Sequence, residues 1–290
     1  MPLQRKSPCK VNFLLNVLDK RPDGYHELET ILHPVALYDL LTFARTASGL
    51  ELTCSDPALP TDASNLVHRA ATKFLSTARI KDGVRIHLEK KIPLAAGLGG
   101  GSSNAAHTLL ALNELFGQPL TAGQLHNLAA ELGSDVPFFL QTQPALATGR
   151  GERIIPLEPF PALQEAFILL IHPGFGISTA WAYQQLAHFP EAWQGAPGRA
   201  EQLIALLQTS DLPAAGPAFY NALEAPALRK YPLLALFQEF LRANGASAAL
   251  MSGSGSATFA LIHGQTAAER LAEQFRVKFG DSYWLAVLAL

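Results

Sequence analysis

Cysteine is nearly absent: the chain has two in 290 residues, Cys9 and Cys54, far apart and without metal-ligand spacing. That excludes a disulfide framework and a thiolate zinc site, and it suits a reducing compartment. Charge imbalance is missing too. A formal net charge of -2 at pH 7 gives no reason to expect nucleic acid or an anionic membrane as a partner. Its one local exception is a basic cluster of Arg5, Lys6, Lys10, Lys20 and Arg21, which on its own reads as a solvated face. No long uncharged apolar run occurs, so no membrane span is expected. No signal peptide is expected either, because a strand-like alternation begins almost at once. The expected location is the cytoplasm. What the chain does have is 49% apolar against 16% charged residues, enough for a packed core and long enough for two domains.

From Cys9 the pattern has a period of two. Cys9, Val11, Phe13, Leu15 and Val17 fall on one face, which belongs to the core, while the opposite face presents Lys10 beside Asn12. Further strands are predicted at Leu28–Val35, Leu40–Phe43 and Val84–Lys90. A helix is predicted around Leu66–Leu75, with Ser64 or Asn65 as its N-cap. Beyond the glycine-rich run at 97–101, Ala105, Leu109, Leu112 and Phe116 recur at helical spacing, and Gly117 is placed to end that helix. Thr121 and Gln124 have the form of a capping box, opening a helix with Leu125, Leu128 and Leu132 on one stripe, which Gly133 closes. The proline- and turn-rich stretch from Arg150 to Pro161 marks a domain boundary, dividing the chain into 1–155 and 156–290. The second part reads as a strand at Phe167–His172, then helices, strands near Ser247–Met251 and Ala257–Ile262, a helix near Ala267–Phe279 and a last strand at Trp284–Leu288. That order predicts a split βαβ, ferredoxin-like domain within an overall α+β chain. The Ala-, Gly- and Pro-rich stretch 190–220 has no clear periodicity.

The strongest local signal is Pro93-Leu94-Ala95-Ala96-Gly97-Leu98-Gly99-Gly100-Gly101-Ser102-Ser103-Asn104. Glycines without Cβ atoms let backbone N–H groups converge on an anion, and the helix that follows adds its unpaired N–H groups and positive dipole end. Ser102 and Ser103 add hydroxyls suited to phosphate or to metal-bound water. Each dipole–charge contact is worth only about 0.3–1 kcal/mol, so such a cradle works as an ensemble. Two other phosphate loops are excluded. The P-loop needs Gly-Lys-Ser/Thr, and this chain has no Gly-Lys dipeptide. The dinucleotide fingerprint fails because Ser102 stands where its third glycine belongs. Taken alone, the segment also reads as a flexible glycine turn.

Together with Ser7-Pro8-Cys9-Lys10-Val11-Asn12 and Met251-Ser252-Gly253-Ser254-Gly255-Ser256, the glycine loop resembles the three motifs of the GHMP kinase superfamily, in the same order and at similar separations. Arg21-Pro22-Asp23-Gly24-Tyr25-His26 and Gly133-Ser134-Asp135-Val136-Pro137 narrow the resemblance to members that act on a cytidine diphosphate-linked sugar alcohol in the non-mevalonate route to isoprenoid precursors. Cys9 departs from the pattern by replacing an alanine, and the alternation turns its thiol towards the core.

This resemblance implies a two-domain fold, a ribosomal protein S5 domain 2-like N-terminal part followed by a ferredoxin-like C-terminal part. It implies ATP with Mg²⁺ as donor, held by residues Pro93 to Asn104. Asp135 would take the proton of the acceptor hydroxyl, and Lys10 would keep that carboxylate ionised and stabilise the moving charge. Asn12, Tyr25 and His26 would bind the acceptor. From the second domain Tyr183 would cover the other face of its base, with Trp181 as the rival. Each residue also has a plainer role open to it. Asp135 before a proline is a common helix N-cap, Lys10 could lie on an edge strand, and a Tyr-His pair after a turn is often ordinary packing. Two other functions stay open: a GHMP kinase of mevalonate or homoserine type, which would not need Asp23 to His26, and a nucleotide-binding regulator without catalysis.

Overall fold

Two long strands dominate the first half, β1 (Leu3–Lys20) and β2 (His26–Thr46), paired antiparallel through the turn at Arg21–Tyr25. The computed structural model describes residues 2–209 and 211–290. The two strands predicted within β2 are one. Cys9 pairs with Val35 while Pro8 pairs with Tyr38, so Ala36 and Leu37 are taken up as a bulge. Proline has no N–H to give the ladder, and a bulge beside it lets the strand bend instead of ending. Strands β3 (Leu50–Cys54) and β4 (Gly83–Glu89) pair in parallel through the crossover helix α1 (Leu66–Thr77), and β4 joins β2. Asn65 is the N-cap of α1, its side chain accepting from Val67 N.

Helix α2 (Gly100–Leu115) starts inside the glycine run, earlier than the predicted periodic stretch at Ala105. Gly99, at φ +70, turns the chain sharply into it without a side-chain cap. The predicted capping box is present: Thr121 and Gln124 bond reciprocally at the start of α3 (Ala122–Leu132). Helices α1, α2 and α3 pack against the sheet around Phe43, Phe74, Leu109 and Leu128. A hairpin of β5 (Ala145–Gly149) and β6 (Arg153–Pro156) follows, β5 pairing with β2 and β6 with β5, so β6 occupies part of the Arg150–Pro161 stretch that the sequence marks only as a boundary.

In the second half, β7 (Ala166–His172), β9 (Ala248–Met251), β10 (Thr258–His263) and β11 (Trp284–Ala289) form an antiparallel sheet in the order β11-β7-β10-β9. That is the ferredoxin-like order, its four strands running fourth, first, third, second. Between β7 and β9 lie α4 (Thr179–Leu186), α5 (Pro190–Trp193), α6 (Arg199–Thr209), α7 (Leu212–Ala215), β8 (Tyr220–Asn221), α8 (Glu224–Lys230) and α9 (Pro232–Ala243). Helix α10 (Gln265–Phe279) packs on α9 through Phe237, Phe240, Phe275 and Phe279.

The short strand β8 crosses back and pairs in parallel with Leu14 and Leu15 of β1, completing the first sheet. One core also spans both halves: Cys9, Val11 and Phe13 of β1 cluster with Ile168, Leu170 and Phe259 of the second sheet. Both faces of β1 are therefore covered, where alternation predicts one, and even Lys10 and Asn12 are 3% exposed. Among the described residues, no helix is long and apolar enough to cross a membrane.

Candidate active site

Lys10 is built in from three sides. Its backbone N–H donates to Leu98 O at 2.9 Å, which stitches β1 to the glycine loop. Its ammonium donates to Asn12 Oδ1 at 2.6 Å and Gly97 O at 2.9 Å, and lies 3.7 Å from Asp135 Oδ2. Asn12 is fixed in turn: its Nδ2 donates to Thr30 Oγ1 at 2.9 Å, and Thr30 donates to Leu14 O at 2.6 Å. The edge-strand role is not what the structure shows, because β1 lies between β2 and β8. Burial draws the Lys10 pKa below the ordinary lysine value, and the Asp135 charge acts against that fall.

The loop from Pro93 to Asn104 divides into two kinds of residue. Ala96 and Leu98 are buried anchors, whereas Ala95, Gly97 and Gly99 line the cleft. The carbonyl of Gly97 accepts from both Lys10 and Ser252 Oγ, at 2.9 and 3.0 Å. A Cβ on Gly97 would sit 2.0 Å from Ser252 O, and one on Gly99 would sit 3.0 Å from Lys10 Cγ, so both glycines are required by close approach as well as by positive φ. The α2 amides of Gly100, Gly101 and Ser102 precede the first intrahelical bond, Ser103 N to Gly99 O, and point out of the N-terminus.

Two loop side chains face inward. Ser103 is fully buried and accepts from Ser7 Oγ at 2.7 Å. Asn104 donates to Ser7 Oγ and Asp39 Oδ2, both at 2.9 Å. Asp39 also accepts from the backbone of Lys91 and Ile92 and pairs with the Lys90 ammonium. This buried pair, with its lone pairs filled by backbone donors, anchors the entry to the loop. Sequence periodicity has no signal for it. Ser102 is the half-exposed hydroxyl of the loop.

Asp135 stands at the turn that follows α3, with its side chain 41% exposed. It caps nothing: the 3-10 turn at Pro137–Leu140 is preceded by Val136 and has no side-chain cap bond. The plainer N-cap role is thus not realised, and the carboxylate faces the cleft beside Lys10.

That cleft has a volume of about 1150 Å³ and runs from Lys10 and Asp135 to a group of aromatic rings. His26 stacks on Tyr183 with centroids 5.0 Å apart at 21°, and Trp193 meets it edge-on at 5.6 Å. Burial, helped by Lys20, lowers the His26 pKa and favours the neutral ring, which can both donate and accept. Tyr25 is 54% exposed, with the Arg150 guanidinium 4.8 Å over its ring. Trp181 packs elsewhere, under Lys230 and against Tyr231, so of the two candidates Tyr183 is the one in the cleft. Its ring covers His26 rather than standing across from Tyr25. Burial, with the Asp135 charge nearby, raises the Tyr183 hydroxyl pKa and keeps it a donor. Cys9 is buried as expected, and burial pushes its thiol up to about 12.

Sequence reasoning missed three lining groups, Arg150, Trp193 and Thr179, whereas Ser254 belongs to the third motif. Arg150 stands between Gly149 and Gly151, both at positive φ, and that flanking is the signal that could have found it. Thr179 and Ser254 hydroxyls lie 2.8 Å apart and join the start of α4 to the 252–255 turn. Among the described residues, no group of three or more His, Cys, Asp or Glu side chains is placed to hold a metal ion.

Residues 65–143 match the GHMP kinases N terminal domain, and residues 203–281 match the GHMP kinases C terminal. A 4-diphosphocytidyl-2-C-methyl-D-erythritol kinase of Geobacter sp. (strain M21) is 40% identical over 293 residues, covering 98% of this chain and 97% of that relative. One of the same name from Synechococcus sp. (strain JA-2-3B'a(2-13)) is 39% identical over 290 residues, covering 97% and 92%. A crystal structure of 4-(cytidine 5'-diphospho)-2C-methyl-D-erythritol kinase superposes with a TM-score of 0.82 at 39% identity, covering 99% of this chain and 100% of that one.

Proposed function

The chain belongs to the GHMP kinase family, and from that premise we propose how its cleft works. It is an ATP-dependent kinase of the non-mevalonate isoprenoid route that phosphorylates the 2-hydroxyl of 4-diphosphocytidyl-2-C-methyl-D-erythritol. The observation that supports this acceptor is one continuous cleft joining the Lys10–Asp135 pair to the rings of Tyr25, His26 and Tyr183. Mevalonate and homoserine carry no base that would use the aromatic end.

In this reading the cytosine lies among Tyr25, His26 and Tyr183, where each stacking contact is worth about 1–3 kcal/mol. Neutral His26 adds a directional hydrogen bond. The acceptor hydroxyl reaches Asp135, whose carboxylate takes its proton as the new O–P bond forms. Lys10, held by Asn12 and Gly97, keeps the carboxylate charged and stabilises the transferring group. ATP phosphates rest on the amides between Ala96 and Ser103 at the start of α2, the Ser103 amide itself being bonded to Gly99 O, with Pro93, Leu94 and Ala95 leading into the cradle. The side chains of Ser103 and Asn104 support that cradle from beneath. When bound with ATP, Mg²⁺ would supply neutralisation of the phosphate charge. The Ser102 hydroxyl of the loop would be available to it directly or through water, and a dication carried by substrate phosphates needs few protein ligands.

We also divide the chain near residue 155, at the end of β6, and place the protein in the cytoplasm, in keeping with its two free cysteines. An ADP-release assay with the cytidine diphosphate acceptor, and with mevalonate and homoserine as controls, tests the function. Turnover of the cytidine compound alone is expected. Turnover of a control alone would leave a GHMP kinase with a different acceptor.

A further inference from the structure

The turn at Ser252–Gly255 forms one wall of the cleft, and it is gripped from behind. Asn221, 2% exposed, donates through Nδ2 to both Met251 O at 2.7 Å and Gly253 O at 2.8 Å, while its Oδ1 accepts from Leu223 N at 2.9 Å. Both N–H donors and the carbonyl oxygen of that amide are engaged, and none of the three bonds touches the cleft. Three residues on, Glu224 accepts from Met251 N and from Gln238 Nε2, each at 2.6 Å. In front, Gly253 presses on the centre of the site: a Cβ there would lie 3.1 Å from Gly97 O, 3.2 Å from Lys10 Nζ and 3.3 Å from Asn12 Oδ1. Asn221 belongs to β8, which pairs with Leu14 and Leu15 on the strand that carries Lys10 and Asn12. The turn is therefore referenced to β1 twice, once through the glycine loop and once through β8.

We propose that Asn221, seconded by Glu224, is a positioning residue for phosphoryl transfer. It fixes Gly253, and through it the alignment of Lys10 and Gly97, without touching either substrate. The proposal rests on the function above. A misplacement of about 1 Å near reacting groups costs on the order of 10²-fold in rate.

Asn221→Asp keeps the acceptor for Leu223 N and removes both donors. It is expected to lower kcat by about 10- to 100-fold while the KM for the cytidine acceptor, set at the aromatic end, moves by less than about threefold. Ser252→Ala, which removes one of the two donors to Gly97 O, is expected to cost less in the Asn221→Asp background than in wild type, since both act on one contact. Unchanged kcat, a raised acceptor KM with kcat retained, or additive losses would each overturn the proposal. If Asn221→Asp does not fold, amide exchange in the wild-type chain decides. The Leu223 N–H, which donates to Asn221 Oδ1, is expected to exchange as slowly as the β10 core, and exchange at a loop rate overturns the clamp. That measurement needs no turnover, so a wild-type chain inactive on the cytidine acceptor would refute the function and leave the clamp to be judged separately.

Discussion

Gly97 and Gly117 have nearly the same backbone conformation, φ +76 and +81, in very different surroundings, so the same substitution at each separates strain from crowding. An alanine at either position carries the left-handed penalty of about 1–2 kcal/mol. At Gly117 nothing lies within 4 Å of the added Cβ, and the cost ends there. At Gly97 the Cβ would stand 2.0 Å from Ser252 O and 2.9 Å from Gly255 N, both backbone atoms that cannot swing aside. Forcing them apart adds about 1–3 kcal/mol on the scale of overpacked cores. At about 2–4 °C per kcal/mol, Gly97→Ala is expected to melt about 2–12 °C below Gly117→Ala. Activity separates the pair further. Gly97 O holds both Lys10 and Ser252, so kcat is expected to fall by more than about tenfold for Gly97→Ala and to be unchanged for Gly117→Ala. Thermal melts by circular dichroism and ADP release measure the two effects. Equal melting losses together with full kcat for Gly97→Ala would show that the loop and the 252–255 turn do not abut as described.

Asp135→Asn is expected to reduce kcat about 10²–10⁴-fold, the scale of a general base; wild-type rates would remove Asp135 from the chemistry. Because burial lowers the Lys10 pKa, and transfer needs its charged form, the alkaline limb of the kcat profile should set in below 10.5; a limb at or above that value contradicts the assignment. Tyr183→Ala removes one ring at the base-binding end and should raise the acceptor KM about 5- to 150-fold, equivalent to about 1–3 kcal/mol, with little change in kcat; an unchanged KM places the base elsewhere. Glu224 supplies a pH test of stability. Burial pushes its carboxyl up to about 7 from 4.5, so between those values the folded chain holds a proton that the unfolded chain has lost. Stability therefore falls as pH rises through that window, by at most about 3 kcal/mol. Glu224→Gln should remove the dependence, so its melting temperature relative to wild type rises from pH 5 to pH 8; a constant difference would count against it.

Features legible in the sequence were those set by local rules. The capping box at Thr121 and Gln124, the N-cap at Asn65, the inward turn of Cys9 and the ferredoxin-like strand order all follow from spacing and residue type. The glycine loop was legible because its backbone conformations exclude most other residues. What local rules miss depends on contacts between distant segments. Strand β8 has two residues and pairs only because β1 is there to receive it. Asn104 reads as a loop residue facing a ligand, yet Asp39 and Ser7, far away in the chain, turn it inward. Arg150 and Trp193 sit in stretches whose composition suggests only linkers, and the fold carries both to the cleft.

Returning β8 to the first sheet has a practical consequence for anyone dissecting the molecule. Gene fragments cut in the connection between β6 and β7 would not yield two modules. The leading fragment would display an unzipped backbone along Leu14 and Leu15 next to a bared Val11–Phe13 patch, the kind of edge that recruits other chains into aggregates. Its trailing counterpart would carry Asn221 and Glu224 still holding their turn, with no lysine in front of it to align. Both pieces must be made as one polypeptide, or co-expressed, before the kinase can be studied.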